Sequence, residues 1–156
     1  MGAKKVAMFA AGCFWGVEEA FRAVDGVLST SVGYSGGTAP SPTYELVCSG
    51  STGHAETVRV EYDPDRVSFG ELLEVFWANH DPTQLNRQGP DIGTQYRSAI
   101  FVYDEDEERV ARASLEAKQR NHGKPIMTQI VPASAFYRAE EYHQQFFEKR
   151  DMAHSR

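Results

Sequence analysis

An unbroken apolar run, Val6-Ala7-Met8-Phe9-Ala10, leads through Gly12 straight into an amphipathic helical pattern. An apolar run without alternation suits a strand buried on both faces. From Cys13 to Val24, Phe14, Val17, Phe21 and Val24 recur at helical spacing on one face, with Glu18, Glu19 and Arg22 turned outward. Gly26 ends that helix. A strand needing cover on both sides, followed at once by a helix with one apolar stripe, confines the chain to architectures in which helices pack on a sheet.

The remaining pattern extends this reading. Val27 to Tyr34 and Ser98 to Tyr103 are expected strands, and Thr57 to Tyr62 alternates cleanly, with Val58, Val60 and Tyr62 opposite Thr57, Arg59 and Glu61. Ser68-Phe69-Gly70-Glu71 forms a capping box ahead of a buried stripe of Leu72, Leu73, Phe76 and Trp77, in a helix that stops near Asp81-Pro82. Asp104 to Asn121 reads as a helix with acids at its start and Lys118 and Arg120 at its end. Ile126 to Val131 is an expected last strand, and Ala139 to Arg150 an expected last helix. The fold class is α+β, a two-layer sandwich with helices packed on a mixed β-sheet. At 156 residues the chain is expected to form one domain, 1–156. Gly33 to Ala55 and Asp81 to Gln95 are too long and polar for plain connections, and are expected to build a site.

Composition narrows the function. Hydrophobic residues make up 41% and charged residues 24%, which is globular usage. A net charge of -6 without a basic run argues against gripping nucleic acid through phosphates. The two cysteines, Cys13 and Cys48, can build neither a disulfide framework nor a four-thiolate zinc site. The N-terminal apolar run is too short to span a membrane, no cleavage pattern interrupts it, and Val6 stands where a myristoylation signal needs Ser or Thr. A soluble cytoplasmic protein with free thiols is expected, with no membrane partner.

Cys13, between a strand and a helix, carries the sharpest chemical signal. Unpaired N–H groups and the macrodipole at a helix start stabilise a thiolate there. Gly12 and Gly16 leave room for a substrate, and Phe14 and Trp15 supply an apolar wall. Position alone leaves two readings open, a reactive thiol and a small buried cysteine closing the sheet–helix packing.

Gly12-Cys13-Phe14-Trp15-Gly16 resembles the nucleophile motif of the A-type peptide methionine sulfoxide reductases. The likeness continues in order through Gly33-Tyr34-Ser35-Gly36-Gly37, Pro42-Thr43-Tyr44, Cys48-Ser49-Gly50 and Gly53-His54-Ala55-Glu56. Asp81-Pro82-Thr83-Gln84, Asp91-Ile92-Gly93-Thr94-Gln95-Tyr96-Arg97-Ser98 and Glu140-Glu141-Tyr142-His143-Gln144-Gln145 complete it, so that nearly the whole chain is covered. The resemblance implies a ferredoxin-like fold and reduction of methionine S-sulfoxide, free or in proteins, with no metal and no cofactor. It also assigns roles. Cys13 is the nucleophile that becomes a sulfenic acid, and Glu56 the matching acid, a role that burial of a carboxyl would suit. Tyr44 and Tyr96 match hydroxyls that hydrogen-bond the sulfoxide oxygen, and Asp91 the aspartate that positions a site water. Phe14 and Trp15 match the methyl pocket, although adjacent helical residues point about 100° apart, so one would face substrate and the other the core. His143 lies in a block that lines the site, and Phe146 stands where relatives often carry tyrosine.

Without the resemblance, Glu56 reads as a solvated strand-edge residue, Asp91 as a turn residue, and Tyr44, Tyr96 and His143 as packing residues. One departure from the family stands out. Many relatives carry recycling cysteines in a glycine-rich tail, whereas here Asp151-Met152-Ala153-His154-Ser155 precedes Arg156 and no cysteine follows Cys48. Cys48 matches a position that is not the usual recycling thiol and is expected to be a small packed residue. A single-cysteine cycle is therefore expected, with glutaredoxin and glutathione, or thioredoxin, reducing Cys13. Three other classes fit parts of the pattern: a cysteine hydrolase or acyltransferase using Cys13 with one of the five histidines, a binding module with an inert cysteine, and a metal enzyme built on His54 and Glu56.

Overall fold

The structure, a computed structural model, describes residues 4–149. Along the chain run β1 (Lys5–Ala11), α1 (Phe14–Arg22), β2 (Val27–Ser35), α2 (Tyr44–Cys48), β3 (Ala55–Tyr62) and α3 (Phe69–Ala78). They are followed by β4 (Arg87–Gln88), β5 (Asp91–Ile92), β6 (Ser98–Val102), α4 (Glu105–Gln119), β7 (Gln129–Pro132) and β8 (Tyr137–Arg138), with 3₁₀ turns at Thr94–Tyr96 and Glu141–His143. Six strands form one sheet in the order β7-β6-β1-β3-β2-β8, and β4 and β5 form a separate hairpin. All neighbours in the large sheet are antiparallel except β6 and β7, which are parallel, so the sheet is mixed.

The apolar run of β1 lies between β3 and β6, which explains its lack of alternation. Ala7, Phe9 and Ala11 join Val58, Val60 and Tyr62 beneath the helices. Met8 and Ala10 join Ala55, Ala99 and Phe101 on the other face, where Val131, Ala133 and Phe136 cover them. Phe9 is the hub of the helix side. It stacks on Phe21 at 4.9 Å between ring centroids and meets Phe76 at 5.6 Å and Phe69 at 6.0 Å. The capping box forms as read, with Ser68 Oγ accepting from Glu71 N–H at 3.0 Å and Glu71 Oε1 from Ser68 N–H at 3.3 Å. Helix α3 then docks on α4, where Trp77 Nε1–H donates to Ser114 Oγ at 2.8 Å. No described helix is long and apolar enough to cross a membrane.

The structure departs from the sequence reading in several places. The expected last strand over Ile126 to Val131 is β7, which begins only at Gln129 and is followed by β8. Cys13 caps α1 instead of lying within it. Glu18 is not turned outward; it is 1% exposed on the buried side of α1. The expected helix over Ala139 to Arg150 is broken into the 3₁₀ turn Glu141–His143 and a helical turn at 146–149, separated by Gln145 at φ 48°; its expected end at Arg150 lies outside the described residues. The two long connections are partly regular, holding α2 in one and the β4–β5 hairpin in the other.

Because Phe9 is fully buried at the meeting point of three other rings, Phe9→Ala should cost about 3–5 kcal/mol. Urea denaturation followed by circular dichroism measures it, and a loss below about 1 kcal/mol would contradict this packing.

Candidate active site

The turn from β1 into α1 is made by Gly12, whose φ of +94° is left-handed and whose missing Cβ would lie 2.8 Å from Gln88 Cγ. The chain thus passes beneath β4 and delivers Cys13 to the helix start, half-buried, with Phe14 as the first helical residue. The backbone N–H groups of Trp15 and Gly16 face the sulfur and favour its anion, although neither makes a capping bond of normal geometry. Burial outweighs them. Together with the nearby carboxylates of Glu56 and Asp91 it pushes the thiol up to about 11. The helix start alone therefore does not make Cys13 a resting thiolate.

Glu56 comes from the helix-facing register of β3, two residues before Val58, and lies opposite Tyr34 of β2. It is 2% exposed, so it is not a solvated edge residue. Its Oε1 accepts from the Phe14 N–H at 3.2 Å, which holds the carboxyl beside the cap occupied by Cys13. Burial raises its pKa to about 8; the Phe14 bond opposes that shift and the Asp91 charge adds to it.

The two loops close around this pair. Asp91 lies on the short strand β5, near enough to raise both Cys13 and Glu56. Tyr96 ends the 3₁₀ turn, and burial, followed by the charges of Glu56, Cys48, Asp91 and Cys13, pushes its hydroxyl up to about 12. Tyr44 opens α2; burial and the adjoining Cys48 thiol push its hydroxyl up as well. Both phenols thus keep their protons at neutral pH. Tyr44 is anchored through its N–H, which donates to Glu140 Oε2 at 3.1 Å, while Tyr34 Oη donates to Glu140 Oε1 at 3.0 Å.

Phe14 and Trp15 diverge as their helical spacing requires. Phe14 is 1% exposed, against Tyr34 and His143, whereas Trp15 is partly exposed and stacks on Phe146 at 3.9 Å. Phe146 thus contributes a ring face where a tyrosine hydroxyl was in question. His143 is buried among Phe14, Trp15 and Tyr44, with Nδ1 accepting from Trp15 Nε1–H at 3.0 Å. That acceptor role leaves the proton on Nε2, which has no partner among the described residues. Burial holds the ring's pKa below the ordinary value, against the opposing charges of Glu140 and Glu45.

All eight residues singled out in the sequence therefore converge on one region. Cys48 departs from expectation: it is exposed, not packed, beside the Tyr44 hydroxyl. Sequence reasoning missed Tyr34 and Glu140 as the brace of Tyr44. Both residues sit in blocks that carried the resemblance, but their contact spans strand and C-terminal segment and leaves no trace in local spacing. Among the described residues, no three His, Cys, Asp or Glu side chains gather as metal ligands.

A half-buried thiol beside a carboxyl that holds its proton near neutrality, with phenols around and an indole at the rim, defines a thiol-based redox enzyme. The family profile described as peptide methionine sulfoxide reductase matches residues 5–156, and the chain belongs to that family. It is 63% identical over 146 residues to the Peptide methionine sulfoxide reductase MsrA of Geobacter sulfurreducens, covering 92% of this chain and 90% of that protein. Mxr1 from Saccharomyces cerevisiae in its reduced form superposes with a TM-score of 0.90 at 39% identity, over 95% of this chain and 86% of that one. Mxr1 in complex with Trx2 matches with a TM-score of 0.65 at 26% identity, over 92% of this chain and 84% of that one.

The raised Glu56 has a consequence for stability. Its folded value of about 8 lies above the ordinary 4.5, so its proton is held more tightly in the folded state. Stability should fall as pH rises from about 4.5 through about 8, by up to roughly 5 kcal/mol, and level off above. Glu56→Gln should flatten that decline in urea titrations across this range; an equal slope in both proteins would contradict the assignment.

Proposed function

We propose that Cys13 reduces methionine S-sulfoxide, free or in proteins, by taking its oxygen, with Glu56 as the proton donor and the repair of oxidised proteins as the outcome. The observation that carries this reading is the 3.2 Å bond from Phe14 N–H to Glu56, which pairs a buried, proton-holding carboxyl with the thiol at the helix start. Departure of the oxygen as bare oxide is prohibitive, so the acid must act as the sulfur attacks. Glu56, protonated at neutral pH, gives its proton to the sulfoxide oxygen and takes up the proton that the Cys13 thiol loses as its sulfur attacks the sulfoxide sulfur, so the carboxyl ends the step protonated as it began. The N–H groups of Trp15 and Gly16 stabilise the thiolate as it forms. The oxygen passes to Cys13, which becomes a sulfenic acid, and methionine leaves with its sulfur reduced by two electrons.

Tyr44 and Tyr96, both protonated, donate to the sulfoxide oxygen and share its developing charge. Asp91 positions a water near the pair. Trp15 bounds the slot for the methyl group, and Phe14 backs it from the core. His143 backs the substrate pocket from within, holding the Trp15 indole through Nδ1 and packing against Tyr44. The sulfenic acid is cleared by external thiols, two of which leave as a disulfide while the oxygen departs as water. The yeast Mxr1–Trx2 complex supports a thioredoxin in that role, and glutaredoxin with glutathione is the second candidate. Within this sequence the only other thiol is Cys48.

The strands β6-β1-β3-β2, joined in the order β1-α1-β2-β3-α3-β6, support the ferredoxin-like label. The family match over 5–156 supports one reductase domain, 1–156. The free thiols suit a cytoplasmic setting.

Separate incubation of protected methionine S- and R-sulfoxides with the enzyme and dithiothreitol should give S-selective reduction that Cys13→Ser abolishes. No S preference, or activity surviving in Cys13→Ser, would overturn the assignment. Glu56→Gln should slow single-turnover reduction by about 10²–10⁴-fold. It should also move the alkylation midpoint of Cys13 below about 11, because a charge that raises the thiol is gone.

A further inference from the structure

Helix α1 buries a carboxylate where its periodicity calls for an apolar side chain. Glu18 falls on the stripe of Phe14, Val17 and Phe21 and is 1% exposed. A carboxylate so placed is tolerated only when donors satisfy it. Three neutral donors do so: Thr30 Oγ1–H reaches Oε2 at 2.7 Å, Gln145 N–H reaches Oε1 at 2.8 Å, and Gln145 Nε2–H reaches Oε2 at 2.8 Å. Gln145 also donates through Nε2 to Thr30 O at 3.1 Å. Two of the three donors to Glu18 thus belong to a single residue far along the chain.

Gln145 stands at φ 48°, a left-handed conformation that a residue with a side chain keeps only where its surroundings hold it. It is also the break between the 3₁₀ turn Glu141–His143 and the helical turn at 146–149. On one side of the break, His143 Nδ1 accepts the Trp15 indole N–H at 3.0 Å. On the other, Phe146 lies flat on the Trp15 ring, 3.9 Å between centroids and 10° between planes. Trp15 lies three residues before Glu18 and so shares its side of the helix. The indole and the carboxylate grip consecutive parts of one segment.

We propose that Glu18 is a positioning residue for the substrate pocket, fixing Gln145 so that the segment from His143 to Phe146 closes on Trp15. This rests on Trp15 being the pocket wall. Glu18 makes no hydrogen bond to Cys13 or Glu56, so its removal loosens substrate binding and leaves the chemical step in place.

Single-turnover reduction without reductant, followed against sulfoxide concentration, separates the two effects. Glu18→Gln should raise the half-saturating concentration about tenfold, with the maximal rate held within about twofold. In a Trp77→Phe background, Trp15 emission should shift to the red as the indole loses its stack. Val17→Ala removes buried volume from the same helix and should leave half-saturation unchanged. Glu18→Gln with unchanged half-saturation and Trp15 emission would overturn the proposal. Should that variant fail to fold, Gln145→Asn, which tolerates the left-handed backbone but shortens the amide, must show the same rise, and an unchanged value there overturns the proposal equally. Unchanged half-saturation in Trp15→Ala would instead sink the pocket reading, and the proposal with it.

Discussion

The bond from the Phe14 N–H to Glu56 joins the two parts on which the proposed chemistry depends. One end is the first free donor of α1, a group the helix itself cannot satisfy. The other is a carboxyl on the central strand β3, aimed at the helix layer by strand register. Gly12 makes the meeting possible by turning the chain in a left-handed conformation where a side chain would collide with Gln88. Sheet, helix and both long loops are thereby arranged around one short stretch of backbone.

Two opposing effects act on Cys13 at this junction. The helix start favours the anion, while burial and two carboxylates oppose it, and the opposition wins. Thiolate character governs both nucleophilicity and oxidative loss of a cysteine. A resting thiol held near 11 beside an acid near 8 keeps both protons at neutral pH. On the proposed mechanism the site stays inert until a polarised sulfoxide accepts the acid's proton and draws the thiol's electrons. The phenols, raised by the same burial, remain donors throughout.

Much of this was legible in the sequence because it is local. The apolar run of β1, the stripe of α1, the alternation of β3 and the Ser68–Glu71 capping box each depend on neighbours within a turn or two, and each formed where read. The alternation even implied the direction of Glu56, since it continues the parity of Val58 and Val60. The failures share the opposite cause. Its charge alone points Glu18 outward, yet its partners come from β2 and the C-terminal segment. The helix expected over Ala139 to Arg150 has helical propensity throughout, but Gln145 is held left-handed by that same distant carboxylate. Cys48, whose match to a non-recycling position implies a small packed residue, is exposed on the short helix α2 beside buried Val47. The roles of Tyr44, Tyr96, Asp91 and His143 were suggested by resemblance alone. Their convergence depends on contacts between the two long loops and the C-terminal segment, which local spacing does not record.

The central claim is that one thiol, Cys13, takes the oxygen. Enzyme treated with one equivalent of methionine S-sulfoxide in the presence of dimedone, without reductant, and mapped by mass spectrometry tests it most directly. The account predicts one methionine formed per enzyme and a stoichiometric dimedone adduct on Cys13, with Cys48 unmodified. A stoichiometric Cys13–Cys48 disulfide would refute the single-cysteine cycle, and an adduct confined to Cys48 would contradict the account at its root.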